Sequence, residues 1–205
     1  MKFSAARQAL DVFLSLLALV VLSPLLMVVG IAILCETGRP VFFRQNRVGK
    51  DGKVFQLVKF RSMKAGASGS SITARGDSRI TGAGKILRKF KLDELPQFWN
   101  VVRGDMSIVG PRPEVPEFVD ASKPIWRSVL SVRPGITDPA SVAYRNEEEL
   151  LAKAADRIRY YEETLLPAKL AMNVAYIEKR SLWEDVKVIA RTAKCAIFPS
   201  ELDVI

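Results

Sequence analysis

The sequence predicts an α+β chain: an apolar N-terminal membrane segment, then a small, mostly helical domain carrying one short β-hairpin. Three observations predict it. Val12 to Cys35 is a run of 24 residues without a formal charge. Two short strand-like stretches, Val41-Phe42-Phe43 and Lys53 to Phe60, flank Asp51-Gly52, a hairpin-turn signal. Beyond Asn146 the apolar spacing turns helical, most clearly over Ser181 to Phe198. A chain of 205 residues, 26% charged and 49% hydrophobic, can bury one good core, so one soluble domain is expected.

The apolar run comes first. As a straight helix it would reach about 36 Å, enough to cross a hydrocarbon core of about 30 Å. Met1-Lys2 and Arg7 would suit a secretory signal, but the run is long for one and no clear small-residue cleavage site follows, which favours an anchor. Ser23-Pro24 stands in the middle of the run. Proline removes one helix hydrogen bond and clashes with the preceding turn, so a break is predicted there. Lys2 and Arg7 precede the run; Arg39, Arg44, Arg47 and Lys50 follow it. A spanning helix would put one of these groups outside, against the positive-inside tendency, whereas a re-entrant helix-break-helix keeps both on the cytoplasmic side. A spanning helix with a proline kink fits the residues equally well.

After the hairpin stretch, Lys59 and Arg61 fall at the end of the second strand, where they read as surface cations. Ala65 to Thr81 is rich in Gly, Ser and Ala and predicts a flexible loop, a lid or a connector, with Arg75 on its surface. Gly84 to Phe90 predicts a short basic helix. Asp93 to Val102 predicts the next, ended by Gly104.

The chemistry gathers between Gly84 and Pro113. An adjacent acidic pair, Asp93-Glu94, is preceded by Lys85, Arg88, Lys89 and Lys91 and followed by Arg103 and Arg112. Such a pair can serve a phosphorylated substrate, with cations neutralising phosphate oxygens while a carboxylate attacks phosphorus or holds a divalent metal. It can equally open a helix, with Asp93 as N-cap, Glu94 on the helix dipole and Pro96 in the first turn. Spacing alone favours the helix start. Prolines on both sides hold Arg112 extended in Gly110-Pro111-Arg112-Pro113, which suits bidentate phosphate binding or a rigid surface turn. Arg133-Pro134-Gly135 repeats that logic more weakly.

Further on, Asn146 with Glu149 resembles a capping box opening a helix toward Tyr161, and Pro167 marks its end or a new start. In Ser181 to Phe198, Leu182, Val186, Ile189, Ala193 and Ile197 share one face, with Lys187, Arg191 and Lys194 around it. Core packing is the usual outcome of such a stripe. The cations and Trp183 also permit a helix lying in a membrane interface.

A net charge of +9 and a pI near 9.7 suit nucleic acid, an anionic membrane surface or a phosphorylated ligand without choosing among them. With no histidine, imidazole general bases and histidine metal sites are excluded. Two cysteines, Cys35 and Cys195, make neither a disulfide framework nor a thiolate cluster, and a cytosolic catalytic part is the simpler assumption.

Longer wording now bears on the acidic pair. Leu87-Arg88-Lys89, Leu92-Asp93-Glu94-Leu95-Pro96-Gln97, Asn100-Val101, Gly104-Asp105-Met106-Ser107 and Val109-Gly110-Pro111-Arg112-Pro113 closely resemble, in order, the signature of the bacterial sugar transferases. These are monotopic phosphoglycosyl transferases that start glycan assembly on a polyprenyl phosphate. The resemblance extends to Phe43-Arg44-Gln45, Lys59-Phe60-Arg61-Ser62-Met63 and Arg133-Pro134-Gly135-Ile136-Thr137, and so covers most of the chain from Ser23 to Arg145.

The resemblance implies a re-entrant membrane hairpin over residues 1–36, broken at a Ser-Pro pair that Ser23 and Pro24 match, and a catalytic domain over 37–205 on the cytoplasmic face of the bacterial inner membrane. It implies transfer of a sugar-1-phosphate from a UDP-sugar to undecaprenyl phosphate with release of UMP. Asp93 would be the nucleophile, Glu94 would help hold Mg²⁺, and Lys59, Arg61, Arg88, Arg112 and Arg133 would meet substrate phosphates. It implies an interfacial amphipathic helix, the bilayer as partner, and glycosyltransferases of a glycan pathway as further partners. Where many members have glycine after Thr137, this chain has Asp138-Pro139-Ala140, a second pattern that leaves the sugar open. The chain resembles the small, minimal type. Two other classes stand beside this reading. A basic nucleic-acid-binding membrane protein would explain the charge but leave the acidic pair idle, so no nucleic-acid partner is expected. A non-catalytic membrane scaffold would not need Asp93.

Overall fold

The computed structural model describes residues 2–64, 66, 72–74 and 76–198. Arg75 and much of the Gly/Ser/Ala-rich stretch predicted as a flexible loop lie outside the described residues.

Helices α1 (Lys2–Val21) and α2 (Ser23–Thr37) meet at Leu22 with a bend of 62°. The bend has a local cause. Pro24 lacks the N–H that would have bonded the carbonyl of Val20, and the Ser23 hydroxyl donates to that carbonyl instead, at 2.7 Å. The predicted break is therefore a sharp bend with the freed acceptor satisfied. Among the described residues no single helix is long and apolar enough to cross a membrane; α1 and α2 pass together only as a bent pair.

Both arms also pack on the rest of the chain, across the predicted boundary after residue 36. Along α1, Asp11 and Ser15 are buried one turn apart and Arg7 bonds Tyr176, which ties this face to the domain. In α2, Val29 and Ile33 pack with Phe60 and Leu87. The opposite faces carry exposed apolar side chains, including Phe13, Val20 (70% exposed), Val21, Met27 and Val28.

Strands β1 (Phe42–Val48) and β2 (Val54–Phe60) form the predicted antiparallel hairpin, in register from Phe42–Phe60 to Val48–Val54. Its turn uses Asp51 at φ 57° and Gly52 at φ 74°, which the Asp-Gly pair tolerates. β1 runs past Phe43 in continuous pairing with β2, and its inward residues there, Gln45 and Arg47, are polar and half-buried, so no apolar alternation marked them. Helix α3 (Gly82–Lys89) is the predicted basic helix. The single helix predicted over Asp93 to Val102 is corrected: a 3-10 turn over Leu92–Glu94 precedes a short helix α4 (Gln97–Val102). Pro96 stands between them, with no N–H to continue the ladder. Gly104, at φ 82°, ends α4 as expected.

A second sheet was not predicted. Strands β3 (Ser107–Val109) and β4 (Gly135–Thr137) pair in parallel across a connection containing α5 (Pro124–Leu130). Short helices α6 (Pro139–Ala143) and α7 (Glu147–Lys153) follow. α7 starts where the capping box placed it, but Asn146 makes no side-chain cap bond and the helix stops well before Tyr161. Asp156 caps α8 (Arg157–Tyr160), which continues through a π-helical turn, Tyr161–Leu165, into α9 (Leu166–Lys179). Pro167 sits just after that turn, which accommodates its missing N–H. The largest apolar cluster joins Trp126, Val129, Leu151, Tyr161, Leu165 and Leu170.

Ser181 caps α10 (Leu182–Ile197) by accepting from the Glu184 N–H. The apolar stripe of this helix does not enter the core. Leu182, Trp183 (67% exposed), Val186, Ile189 and Ile197 face outward, while Asp185 and Val188 are buried.

Candidate active site

Three segments converge on the acidic pair. The end of β2 brings Lys59. The chain then presses on the start of α3 so closely that a Cβ on Gly84 would lie 2.0 Å from the Ser62 carbonyl oxygen. Thr81 caps α3 by accepting from Gly84 N–H at 2.9 Å. Glu36, at the end of α2, accepts from the Gly82 and Ala83 N–H groups at 2.6 and 2.9 Å. The first turn of α3 is thus filled by protein groups.

At the other end of α3 the chain reverses through Lys91, at φ 57°, ψ 21°, a left-handed conformation unusual for a residue with a side chain. This reversal sets Asp93 and Glu94 on their 3-10 turn. α4 is fixed beneath them by Asn100, fully buried, which accepts from Val58 N–H at 3.0 Å and donates to the Gln56 carbonyl at 2.7 Å.

The two carboxylates have opposite surroundings. Arg112 forks onto Glu94 with bonds of 2.8 and 2.7 Å, and the buried Gln97 amide donates to Glu94 at 3.2 Å. Burial opposes ionisation of Glu94, but the Arg112 charge and its bonds hold the carboxyl well below the usual range. Asp93 is buried, and its Oδ1 has no hydrogen-bond partner. Burial first, and then the Glu94 charge, pushes its carboxyl up, while Lys59, Lys91 and Arg88 pull it down. Burial also pushes the Lys59 ammonium down to about 8, with Arg112 adding to the effect.

A cavity of about 1410 Å³ opens at this point, with Lys59, Arg88, Glu94 and Arg112 in its lining. Asp93 is not among the lining residues; it lies beside Glu94 on the same turn. Arg88 crosses the cavity wall to pair with Glu148 of α7. Leu95, Phe98, Ile108 and Ile136 give part of the cavity an apolar lining, which continues to Ile189 and Ala193 of α10 and to Leu22 at the helix bend.

Two predicted phosphate ligands lie elsewhere. Arg61 is buried and its Nη2 donates to the Thr37 and Gly38 carbonyls at 3.0 and 2.6 Å, closing the end of α2. The Arg133 Nε donates to the Gly104 carbonyl at 2.9 Å, behind α4. Neither lines the cavity.

Other lining residues escaped the sequence reading. Arg47 donates to Gln45 and to the Pro113 carbonyl, the latter at 3.0 Å. Lys169, buried in α9, donates to Glu147 at 2.9 Å, and Tyr161 donates to Glu114 at 2.6 Å. A polar Gln-x-Arg alternation in β1 was the available signal for Arg47; a lone lysine on α9 gave none.

Among the described residues no group of three or more Cys, Asp or Glu side chains could by itself hold a metal. A pair of carboxylates that works with substrate phosphates fits Mg²⁺, which binds through one or two carboxylates and keeps other oxygens. Arg112 and Gln97 together engage both lone pairs of Glu94 Oε2, the fork takes one on Oε1 and leaves the other, and Asp93 Oδ1 is unengaged.

Residues 2–199 match the bacterial sugar transferase family. The chain is 36% identical over 197 residues to a UDP-N-acetylgalactosamine-undecaprenyl-phosphate N-acetylgalactosaminephosphotransferase of Aeromonas hydrophila, covering 94% of this chain and 44% of that protein. It is 36% identical over 192 residues to a UDP-glucose:undecaprenyl-phosphate glucose-1-phosphate transferase of Caulobacter vibrioides, covering 91% of this chain and 67% of that protein. A protein of the same name from Escherichia coli K12 is 35% identical over 192 residues, with 91% and 39% covered. The chain spans less than half the length of the Aeromonas and Escherichia relatives.

Proposed function

Since the chain belongs to the bacterial sugar transferase family, we propose that it transfers a sugar-1-phosphate from a UDP-sugar to undecaprenyl phosphate and releases UMP. The observation that carries this reading is the asymmetry of the acidic pair. Glu94 is clamped by Arg112 at a cation-lined cavity, while Asp93 keeps one buried carboxylate oxygen without a partner.

In the first step an Asp93 oxygen bonds to the phosphorus that carries the sugar, and the bond from that phosphorus to the oxygen bridging to UMP breaks. The phosphosugar is then held on Asp93 as an acyl phosphate. In the second step a phosphate oxygen of undecaprenyl phosphate bonds to the same phosphorus, the bond to Asp93 breaks, and the carboxylate is restored. One nucleophile thus serves two substrates in turn. Lys59, Arg88 and Arg112 neutralise phosphate oxygens, Arg88 by exchanging Glu148 for phosphate. Mg²⁺, when bound with help from Glu94, would screen the diphosphate charge from the attacking carboxylate.

The proposed seat is the cytoplasmic face of the bacterial inner membrane, with α1 and α2 entering and returning as a re-entrant hairpin. Outward apolar faces on both arms and on α10 support this, as does the apolar lining of the cavity toward Leu22 and α10, which would admit a lipid from the side. The test is a panel of UDP-sugars with undecaprenyl phosphate, read as UMP release, together with intact mass after mixing donor alone. One donor should release UMP and leave a phosphosugar adduct on the native chain. Asp93→Asn should do neither, and full activity in that variant would sink the assignment.

A further inference from the structure

We propose that Asp138, held by Asn173, is a positioning residue for the transfer reaction: it fixes the backbone of Arg112 and through it the alignment of Glu94. This inference rests on the function proposed above and concerns residues outside the acidic pair.

The segment Pro111-Arg112-Pro113 is short of backbone donors. Its two prolines carry no N–H, so the Arg112 N–H is the one backbone donor available to anchor it. On the N-terminal side the segment hangs from β4: Gly110 N–H donates to the Thr137 carbonyl and Gly135 N–H to the Pro111 carbonyl, both at 3.0 Å. The parallel pairing of β3 with β4 ends at Val109 and Thr137, so the next donor finds no strand partner. It finds a side chain. Arg112 N–H donates to Asp138 Oδ2 at 2.7 Å.

Asp138 is itself fully buried, at 0% exposure. Its Oδ1 accepts from Ser141 N–H, capping α6, and its Oδ2 also accepts the Asn173 side-chain amide of α9 at 2.9 Å. Backbone groups of Arg112 and Ser141 and the α9 amide therefore converge on one carboxylate. A buried charge of this kind is tolerable only when hydrogen-bonded, and here the bonds tie together the elements behind the clamp. On the cavity side of the same residue, the Arg112 guanidinium forks onto Glu94. A fork holds its partner only as well as its own main chain is held, so the carboxylate behind Arg112 sets where Glu94 points. Asn173 Oδ1 is buried with no partner, which leaves the amide's bond to Asp138 as the contact that orients it.

The test uses the full chain in lipid with undecaprenyl phosphate and the UDP-sugar it accepts, read as UMP release. Asp138→Asn keeps the shape but turns one acceptor oxygen into a donor that faces another donor. It should lower kcat by about 10- to 100-fold with a smaller change in KM, the range common for partners that orient a functional group. A structural role alone would do as much, so the decisive readout is coupling. In an Arg112→Lys background the fork is already lost, and Asp138→Asn should cost less than about threefold more. Asn173→Ala, which leaves the Arg112 bond in place, should lower kcat about tenfold with the same loss of effect in the Arg112→Lys background; it serves if Asp138→Asn fails to fold. Equal fold-losses in both backgrounds, or wild-type kcat in both single variants, would overturn the positioning role while leaving the transfer reaction standing. If the native chain releases UMP from no UDP-sugar, the reaction itself fails and the positioning role falls with it.

Discussion

Replacing Arg112 by lysine separates the charge at this position from its geometry. The side chains of Arg112 and Glu94 are 26% and 12% exposed, so solvent screens the pair only in part. The native fork makes two charge-assisted bonds, of 2.8 and 2.7 Å; an ammonium at the same place can make one of them. A hydrogen bond to a charged group contributes about 1.5–3 kcal/mol. If that alignment is required in the transition state, losing one bond lowers kcat/KM by about 10- to 150-fold, at about 1.36 kcal/mol per factor of ten. The assay is UMP release by the chain in lipid with undecaprenyl phosphate. A second readout follows from the sign of the linkage. Arg112 holds the Glu94 carboxyl below its ordinary value, so the pair contributes stability that is present above the unfolded-state value and lost as pH falls through the folded one. A looser partner raises the folded value, so in Arg112→Lys the acid loss of stability should be smaller and should end at higher pH. A fall of under about threefold with an unmoved acid limb would mean that the fork does not set the pair, and the reasoning would be refuted.

Asp93→Asn should also be more stable than the native chain near neutral pH. Burial raises the folded-state Asp93 value, so native stability falls as pH rises from the unfolded value through the folded one, and an amide has no such slope; melting curves across pH would show whether the two proteins converge in acid. Lys59 must be protonated to meet phosphate, so kcat/KM should fall as pH rises through about 8, and the limb in kcat should lie higher because a bound anion favours the ammonium. Lys59→Arg should remove that alkaline limb, and a limb retained in the arginine variant would assign it to another group. With Ser23 and Pro24 both changed to leucine, the Val20 carbonyl regains a backbone donor and the run becomes one straight spanning helix. A cysteine placed at Ser4 (with Cys35 and Cys195 replaced) should then react with a membrane-impermeant thiol reagent in intact cells, and should be shielded without the leucines; labelling without them would rule out the re-entrant hairpin.

The sequence carried what is local and lost what is not. Ser23-Pro24, Asp51-Gly52 and Gly104 were legible because each sets a backbone conformation within a few residues. β3 and β4 were not, because three residues give no period to read, and their pairing joins positions 28 apart, as between Ser107 and Gly135. Lys91 was illegible for a different reason: a left-handed lysine is held there by its surroundings, and its own side chain argues against it. In the site, residue types were legible and partners were not. Glu94 was read toward a metal and Arg112 toward phosphate, and nothing in the sequence showed that the two also pair with each other. Arg61 and Arg133 were expected at phosphates and bond backbone carbonyls away from the cavity, because an arginine in a signature carries no sign of what its side chain meets. The α10 stripe shows the same limit from the apolar side, since periodicity fixes that its residues share a face but not what covers it.

The contacts at the end of α2 explain why the hairpin and the acidic pair act as one body. Arg61 closes the last carbonyls of α2, and it stands two residues after Lys59 on the chain leaving β2. Glu36, in the last turn of the same helix, fills the first N–H groups of α3. Each of these bonds satisfies a helix end that would otherwise need water, so neither is given up without cost. From that junction β2 delivers Lys59 to the cavity, and α3 delivers Arg88, the Lys91 reversal and then Asp93. No linker separates α2 from the site; Val29 and Ile33 of α2 pack directly on Phe60 and Leu87, the neighbours of Lys59 and Arg88 in sequence. With the hairpin seated in one leaflet as proposed, the depth of α2 therefore sets the height of the pair above the headgroups. A flexible tether would let that height wander by many ångströms. A polyprenyl phosphate presents its reacting oxygen at one depth, so a rigid junction removes a positional search that the second step of the reaction would otherwise have to make.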